Sequence, residues 1–311
     1  MFLRLVLAPN PESAHAAAAD GNGVRTRRCD GSFAILEFTK VRLRMASTFA
    51  IVNLTRDSFS DGGRFFEPGA ALAHARALLA AGADVVDLGA ESTQPRAADV
   101  DVGEQIDRLQ PVVAELVAGG AAVSIDTWRP EVMRELLPLG VGWLNCVRGF
   151  RAPGALEVAA AAPPTVRFVV MFQRGDAARA VGAADAPATL MAELEAFFRE
   201  RIAAFAAVGV PRERLVLDPG MGFFLGRTAL PSLVALKHLG ELAAFGVERM
   251  VSVSRKSVIG EITGREVPAR GAGTLAAELW AARHGVEWIR THDVAAFRDG
   301  RAVERAIETA P

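Results

Sequence analysis

Phe49-Ala50-Ile51-Val52-Asn53-Leu54-Thr55-Arg56-Asp57-Ser58-Phe59-Ser60-Asp61-Gly62-Gly63 is the stretch whose reading decides the fold. Phe49 to Val52 is an unbroken apolar run, the pattern of a strand covered on both faces. At Asn53 the run stops, and a loop of Asn, Thr, Ser, Asp and Gly follows until helix-like sequence resumes near Pro68. So many side-chain oxygens, closed by Gly62-Gly63, suit the binding of an anion or a metal ion at a strand's end. A solvated turn would look the same in isolation. Recurrence decides between the two.

The same succession of apolar run, polar end and amphipathic stretch returns along the chain. Strands are expected at Phe49–Asn53, Val85–Leu88, Val123–Ile125, Trp143–Leu144, Val166–Met171, Leu215–Leu217, Met250–Val253 and Trp288–Ile289. Helices are expected among Ala70–Ala81, Gly103–Val117, Pro130–Leu137, Leu190–Val208, Leu233–Ala244, Gly273–His284 and Ala295–Glu308. Several stretches open on Pro and several end at Gly, as helices do. Strands joined by helices run parallel, and eight such units in one domain predict an α/β fold, the (β/α)8 TIM barrel. An open doubly wound sheet would carry a Gly-rich dinucleotide loop after its first strand, and Asn53 to Gly63 is not one.

Composition narrows the class. Of 311 residues, 51% are hydrophobic and 23% charged, enough for a large core. Lys plus Arg number 35 against 36 for Asp plus Glu, so the net charge of −1 gives no pull toward nucleic acid or an anionic membrane. Cys29 and Cys146 cannot build a disulfide framework and lack zinc-site spacing, which makes the cytoplasm the default location. No apolar run approaches the roughly 18 residues of a membrane span.

Residues 1–44 read as an N-terminal extension, mostly disordered or a short hairpin, before a barrel at 45–311. Phe2 to Ala8 is broken by Arg4, Glu12 and Asp20 disfavour a transit peptide, and Phe33 to Leu43 has strand or hairpin character. Met45 is a natural start for the barrel.

In a barrel, functional groups gather at the carboxyl ends of the strands. Those ends read Asn53 with its loop, Asp87 with Glu91-Ser92-Thr93, Asp126-Thr127, Asn145, Met171 to Arg174, Asp218-Pro219-Gly220, Ser254-Arg255-Lys256-Ser257, and Arg290 with His292-Asp293. Each has an ordinary alternative: Asp126 alone could cap a helix at Pro130, and Asp218 could brace the Pro219-Gly220 turn. Together, three carboxylates (Asp87, Asp126, Asp218) face Lys256, Arg255, Arg290 and His292. Carboxylates suit the N–H edge of a guanidine-like heterocycle, and cations suit phosphate or carboxylate.

At this point the residues resemble bacterial dihydropteroate synthase, the folate-pathway enzyme family targeted by sulfonamides. Asn53 to Gly63 is similar to its first signature loop and Asp87 to Pro95 to its second. Ser124 to Thr127, Asp218 to Phe223, Ser254 to Ser257 and Ile289 to Val294 follow in family order. The resemblance, from about Ala46 onward, implies a TIM barrel joining p-aminobenzoate to dihydropterin pyrophosphate with release of pyrophosphate. It implies that Asp126, Asn145, Asp218 and Lys256 hold the pterin and that Thr93 lies along the pterin-pyrophosphate substrate. Asn53, with Arg290 and His292, would hold the pyrophosphate and its Mg²⁺, Asn53 being the metal ligand. Phe59, Pro95, Lys256 and Ser257 would line the p-aminobenzoate pocket. Lys256, Arg290, Asp126 and Asp218 would carry catalysis, and the family implies a homodimer.

Departures from the family pattern are Arg56 for Pro, Gln94 for Arg, Cys146 for Asp, Phe172 for His, and Phe224-Leu225 for Gly- or Ala-Lys. They leave two alternatives beside the active synthase. One is a pterin-binding paralogue with weak or no synthase activity; the other is a methyl-carrier module on a similar barrel.

Overall fold

The computed structural model describes residues 24–29, 33–38, 46–55, 68–92, 98–175 and 185–311. The chain divides into two units, Met1–Arg44 and Met45–Pro311. In the first, β1 (Val24–Cys29) and β2 (Phe33–Phe38) pair antiparallel.

In the second unit, eight parallel strands close on themselves: β3 (Ser47–Asn53), β4 (Val85–Gly89), β5 (Val123–Asp126), β6 (Trp143–Cys146), β7 (Arg167–Met171), β8 (Leu215–Asp218), β9 (Glu248–Val251) and β10 (Trp288–Thr291). Each pairs with the next in sequence, and β10 pairs with both β9 and β3. No helix is long and apolar enough to cross a membrane among the described residues. The helices on the connections are α1 (Pro68–Ala80), α2 (Val102–Ala118), α3 (Pro130–Leu136), α4 (Ala155–Ala161), α5 (Leu190–Ala207), α6 (Leu230–Lys237), α7 (Ser257–Thr263), α8 (Gly271–Arg283) and α9 (Val294–Thr309). The fold is the TIM barrel that the strand–helix alternation predicts.

Alternate side chains along each strand take opposite duties. Val52, Val86, Leu88, Ile125, Leu144, Val170, Leu217, Val251 and Ile289 belong to the large core cluster that includes the helices' buried faces. Phe49, Val85, Trp143, Val169, Val216 and Met250, with Trp288, form a separate cluster. Phe49, Trp143 and Trp288 meet edge-on at centroid distances of 4.9 to 5.2 Å. These rings fill the amino-terminal end of the barrel.

Most elements lie within two residues of their expected bounds, and two departures have a physical reason. The helix expected over Leu233–Ala244 breaks after Lys237, and Glu241–Phe245 is a 3-10 turn. Buried Leu236, Leu239 and Leu242 recur every third residue, the period of a 3-10 helix rather than of an α-helix. The strand expected over Met250–Val253 lies at Glu248–Val251, because Glu248 and Arg249 take the ladder positions beside Val216 and Leu217.

Candidate active site

At the carboxyl end of the barrel the inward side chains turn polar. Asp87, on β4, is fully buried, and its Oδ2 accepts Asn145 Nδ2 at 3.0 Å and Arg290 Nε at 2.6 Å. Arg290, on β10, also donates from Nη2 to Asp126 Oδ2 at 2.7 Å. Its guanidinium therefore bridges two carboxylates from adjacent strands. Asp126 does not cap α3: Arg129 occupies that cap position, and its N–H goes to Thr127 Oγ1 at 3.2 Å. Asp218 does brace its turn, Oδ1 accepting the Gly220 N–H at 2.8 Å. Gly220 sits at φ +72°, and a Cβ there would meet the Phe172 carbonyl oxygen at 2.3 Å, so the turn requires glycine.

Lys256 stands at the head of α7 with Nζ 5.1 Å from the centroid of Phe224. Phe224, Met171 and Val147 form a small buried apolar cluster, with Trp128 against it. Trp128 in turn carries the Arg129 and Arg148 guanidinium groups over its ring at 4.4 and 5.0 Å. Gly222, at φ +67°, would place a Cβ 2.9 Å from Ser257 Oγ, so its bareness lets the β8–α6 loop lie against Ser257.

The charges are strongly perturbed. Burial raises the Asp126 carboxyl to about 7, with Arg290 pulling it back and Asp87 pushing the same way as burial. Burial raises Asp218 too, opposed by Lys256. Lys256 is lowered to about 8, again chiefly by burial, with Asp218 opposing. These mutual influences place Asp126, Asp218, Lys256 and Arg290 around one space.

His292 corrects an expectation. Burial, then Arg255 and Arg290, push its pKa well below the usual value, so it enters as neutral imidazole rather than as a cation. Its Nδ1 lies 2.9 Å from Ser254 Oγ, which also accepts the His292 backbone N–H at 3.2 Å. Ser254 Oγ thus meets both the ring and the backbone of His292.

Other rim candidates have been drawn elsewhere. Arg174 donates from Nε to Glu193 at 2.7 Å and from Nη1 to the Leu225 carbonyl at 2.8 Å. Phe172 packs against Phe197, and Leu225 is fully buried. Cys146 is fully buried, its sulfur accepting the Phe150 N–H at 3.3 Å. Asn53 ends β3 beside Gly89 and is partly exposed. Phe59, Thr93 and Pro95, with Arg56, Gln94 and Arg96, lie outside the described residues.

Sequence reading missed the residues that root the first two loops. The buried Arg108 of α2 donates from Nη1 to the Leu54 carbonyl at 3.3 Å and the Ala90 carbonyl at 3.1 Å, and pairs with Glu104. Glu91 receives Arg129 at 3.1 Å through two nitrogens and Gln105 Nε2 at 2.9 Å. The available signal was Gln105 and Arg108 lying within the apolar stripe of α2, beside Leu109 and Val112. Trp128 and Val147 were missed because single apolar residues after a strand carry no such signal, and Phe224 was read only as a departure from the family pattern.

A TIM barrel with buried carboxylates, a lysine and an apolar wall at its carboxyl mouth defines a small-molecule enzyme of the heterocycle-binding type. Comparisons with known proteins agree. The family model described as "Pterin binding enzyme" matches residues 49–292. Dihydropteroate synthase type-2 of Escherichia coli is 48% identical over 84% of this chain and 95% of its own length. The type-3 enzyme of Escherichia coli is 42% identical over 85% of this chain and all of its own. The Xanthomonas albilineans dihydropteroate synthase, solved with 4-aminobenzoic acid, superposes with a TM-score of 0.78 at 41% identity, covering 86% of this chain and 95% of that one. The chain belongs to the pterin-binding enzyme family, among its dihydropteroate synthases.

Proposed function

We propose that this chain condenses dihydropterin pyrophosphate with p-aminobenzoate, giving 7,8-dihydropteroate and pyrophosphate. One observation carries the reading: Asp126, Asp218, Lys256 and Arg290 converge beside the Val147–Met171–Phe224 wall. A flat heterocycle against that wall presents its N–H edge to Asp126 and Asp218, with Asn145 as a further polar contact. Accepting those N–H groups requires ionised carboxylates, and Arg290 holds Asp126 toward that form. Lys256 completes the pterin set opposite Asp218.

The reaction breaks the bond between the pterin methylene carbon and the diphosphate oxygen and forms a C–N bond to the arylamine. The amine then sheds one proton. Its lone pair is free, so no strong base is needed, and the largest catalytic demand is charge stabilisation on the leaving diphosphate. Asn53, Arg290 and His292, with Thr93, serve that end in this reading. Phe59, Pro95, Lys256 and Ser257 line the arylamine pocket.

Among the described residues no group of three or more His, Cys, Asp or Glu could hold a metal ion. Mg²⁺ keeps several waters and binds chiefly through substrate phosphates, so it needs only one or two protein oxygens and no such group. Asn53 would supply the protein oxygen. Mg²⁺ bound there would neutralise charge on the departing diphosphate.

We assign residues 45–311 as the catalytic barrel and 1–44 as an extension outside it. A cytoplasmic location and a homodimer complete the proposal. Exposed Leu230 and Leu233 on α6, Ile262 on α7 and Trp280 on α8 support the dimer, and sedimentation would test it. Pyrophosphate release on mixing the chain with both substrates and Mg²⁺ tests the activity. Its absence, with dihydropterin pyrophosphate still binding by calorimetry, would leave a pterin-binding paralogue instead.

A further inference from the structure

The mechanism leaves unused the polar groups at the head of α8, which meet the Ser254–Ser257 loop. Arg270 is the residue that opens the helix, and the buried Thr274 lies in its first turn. Together they hold both sides of Arg255. Thr274 Oγ1 accepts the Arg255 N–H at 3.0 Å, and Arg270 Nη1 donates to the Arg255 carbonyl at 2.8 Å. The same nitrogen reaches the Lys256 carbonyl at 3.3 Å, while Nε donates to the Arg265 carbonyl at 2.9 Å. Arg255 sits in the left-handed region at φ 57°, a conformation that a residue with a side chain keeps only where its surroundings hold it. The next residue is Lys256.

Two glycines make this clamp possible. A Cβ on Gly260, inside α7, would meet the Arg270 guanidinium at 2.2 to 2.6 Å, and one on Gly273 would meet the Ile259 side chain at 2.7 Å. Glycine within a helix is less stable than alanine, so local preference does not explain Gly260; room for the guanidinium does. Lys256 is bounded on its other side as well. A Cβ on Gly222 would approach the lysine stem at 3.6 to 3.7 Å, and Nζ stands 5.1 Å from the Phe224 centroid.

We infer that Arg270 is a positioning residue: through the Arg255 and Lys256 carbonyls it fixes the backbone from which Lys256 reaches the pterin site, and Gly260 is bare to admit it. Thr274 holds the Arg255 N–H against the same helix. This rests on the proposed reading of Lys256 as a pterin contact.

Gly260→Ala is the sharper test, because it keeps Arg270 and displaces only the flexible end of its side chain. Alanine also favours the helix, so the unfolding midpoint should hold or rise. Affinity for dihydropterin pyrophosphate, measured by calorimetry with Mg²⁺, should fall about tenfold in Gly260→Ala and in Arg270→Ala, the low end for a lost hydrogen bond from a charged group. Both changes remove one clamp, so the double variant should bind no more weakly than Arg270→Ala alone. Arg270→Lys, whose ammonium can still lie between the two carbonyls, should lose less than Arg270→Ala. In a Lys256→Met background Gly260→Ala should have no further effect, whereas a general loosening of the barrel mouth would still weaken binding there. Normal affinity in Gly260→Ala, additive losses in the double variant, Arg270→Lys as impaired as Arg270→Ala, or an undiminished loss in the Lys256→Met background would each overturn the inference. Lys256→Met alone separates it from the reading beneath. If that change weakens binding and Gly260→Ala does not, the inference alone fails. If Lys256→Met also binds normally, the pterin role of Lys256 fails and takes the inference with it.

Discussion

The two ends of the barrel are built on the same strands, two residues apart. At the amino-terminal end the inward positions are Val85, Trp143, Val169, Val216, Met250 and Trp288. Two residues on, the same faces present Asp87, Asn145, Met171, Asp218, Ser252 and Arg290. The lower layer is largely apolar. Its rings interlock, Arg167 lies over Trp143 at 4.5 Å and donates from Nη2 to Glu248 at 2.8 Å, leaving a buried Nε without a partner, and Glu248 accepts the Trp288 N–H at 2.6 Å. The upper layer is charged: Asp87 Oδ1 is buried without a hydrogen-bond partner, and two carboxyls have raised pKa values. One layer stabilises the fold, while the next holds polar groups at a cost in stability that a bound substrate would relieve.

Substitutions at the two levels should therefore separate stability from activity. Trp143→Ala, in the lower layer, is expected to cost about 3–5 kcal/mol in urea unfolding, since it opens a cavity among fixed rings. Activity per folded molecule should survive; its loss would show that the layers are not independent. Asp218→Asn should do the reverse. It keeps an oxygen for the Gly220 N–H but loses the charge, so kcat/KM should fall roughly 10- to 150-fold, as for a hydrogen bond of about 1.5–3 kcal/mol to a charged group. Its unfolding midpoint should hold or rise, because a desolvated carboxylate has gone.

A smaller effect concerns pH. In the proposed reading pterin binding needs ionised Asp126, raised by burial to about 7, and protonated Lys256, lowered by burial to about 8. The kcat/KM profile should therefore be bell-shaped, rising through about 7 and falling above about 8, and Asp126→Asn should flatten the rising limb. The sign for folding is opposite on that limb. A carboxyl raised in the fold contributes stability below its ordinary 3.8 and loses that contribution as pH rises through about 7. The smallest change is expected at Cys146, whose thiol burial pushes to about 11. Cys146→Ser should cost about 1 kcal/mol and leave kcat/KM intact. In a Cys29→Ser background, native Cys146 should resist thiol reagents at pH 8; rapid labelling would place it on the open side of the mouth.

Much of this was legible before any coordinates. The succession of apolar run, polar end and helix specified the barrel, and a period of two on each strand put Asp87, Asp126, Asn145, Asp218 and Arg290 at one end. The helix break at Lys237 was harder to see, because a three-residue spacing of leucines looks apolar in either helix type. Arg174 and His292 show another limit: one was counted as a rim group and the other as a cation. Their sequence neighbours do not reveal that Glu193 takes the first or that burial neutralises the second.

By itself, then, the sequence determined the architecture and the rim where its chemistry would gather, because local periodicity and strand ends follow from chain geometry. Only the tertiary structure decided which polar groups meet. Arg290 reaches Asp87 across 203 residues, and Arg270 and Thr274 hold the Arg255–Lys256 loop from the head of α8. Contacts of that range, and the burial that moves each pKa, exist only once the barrel has closed.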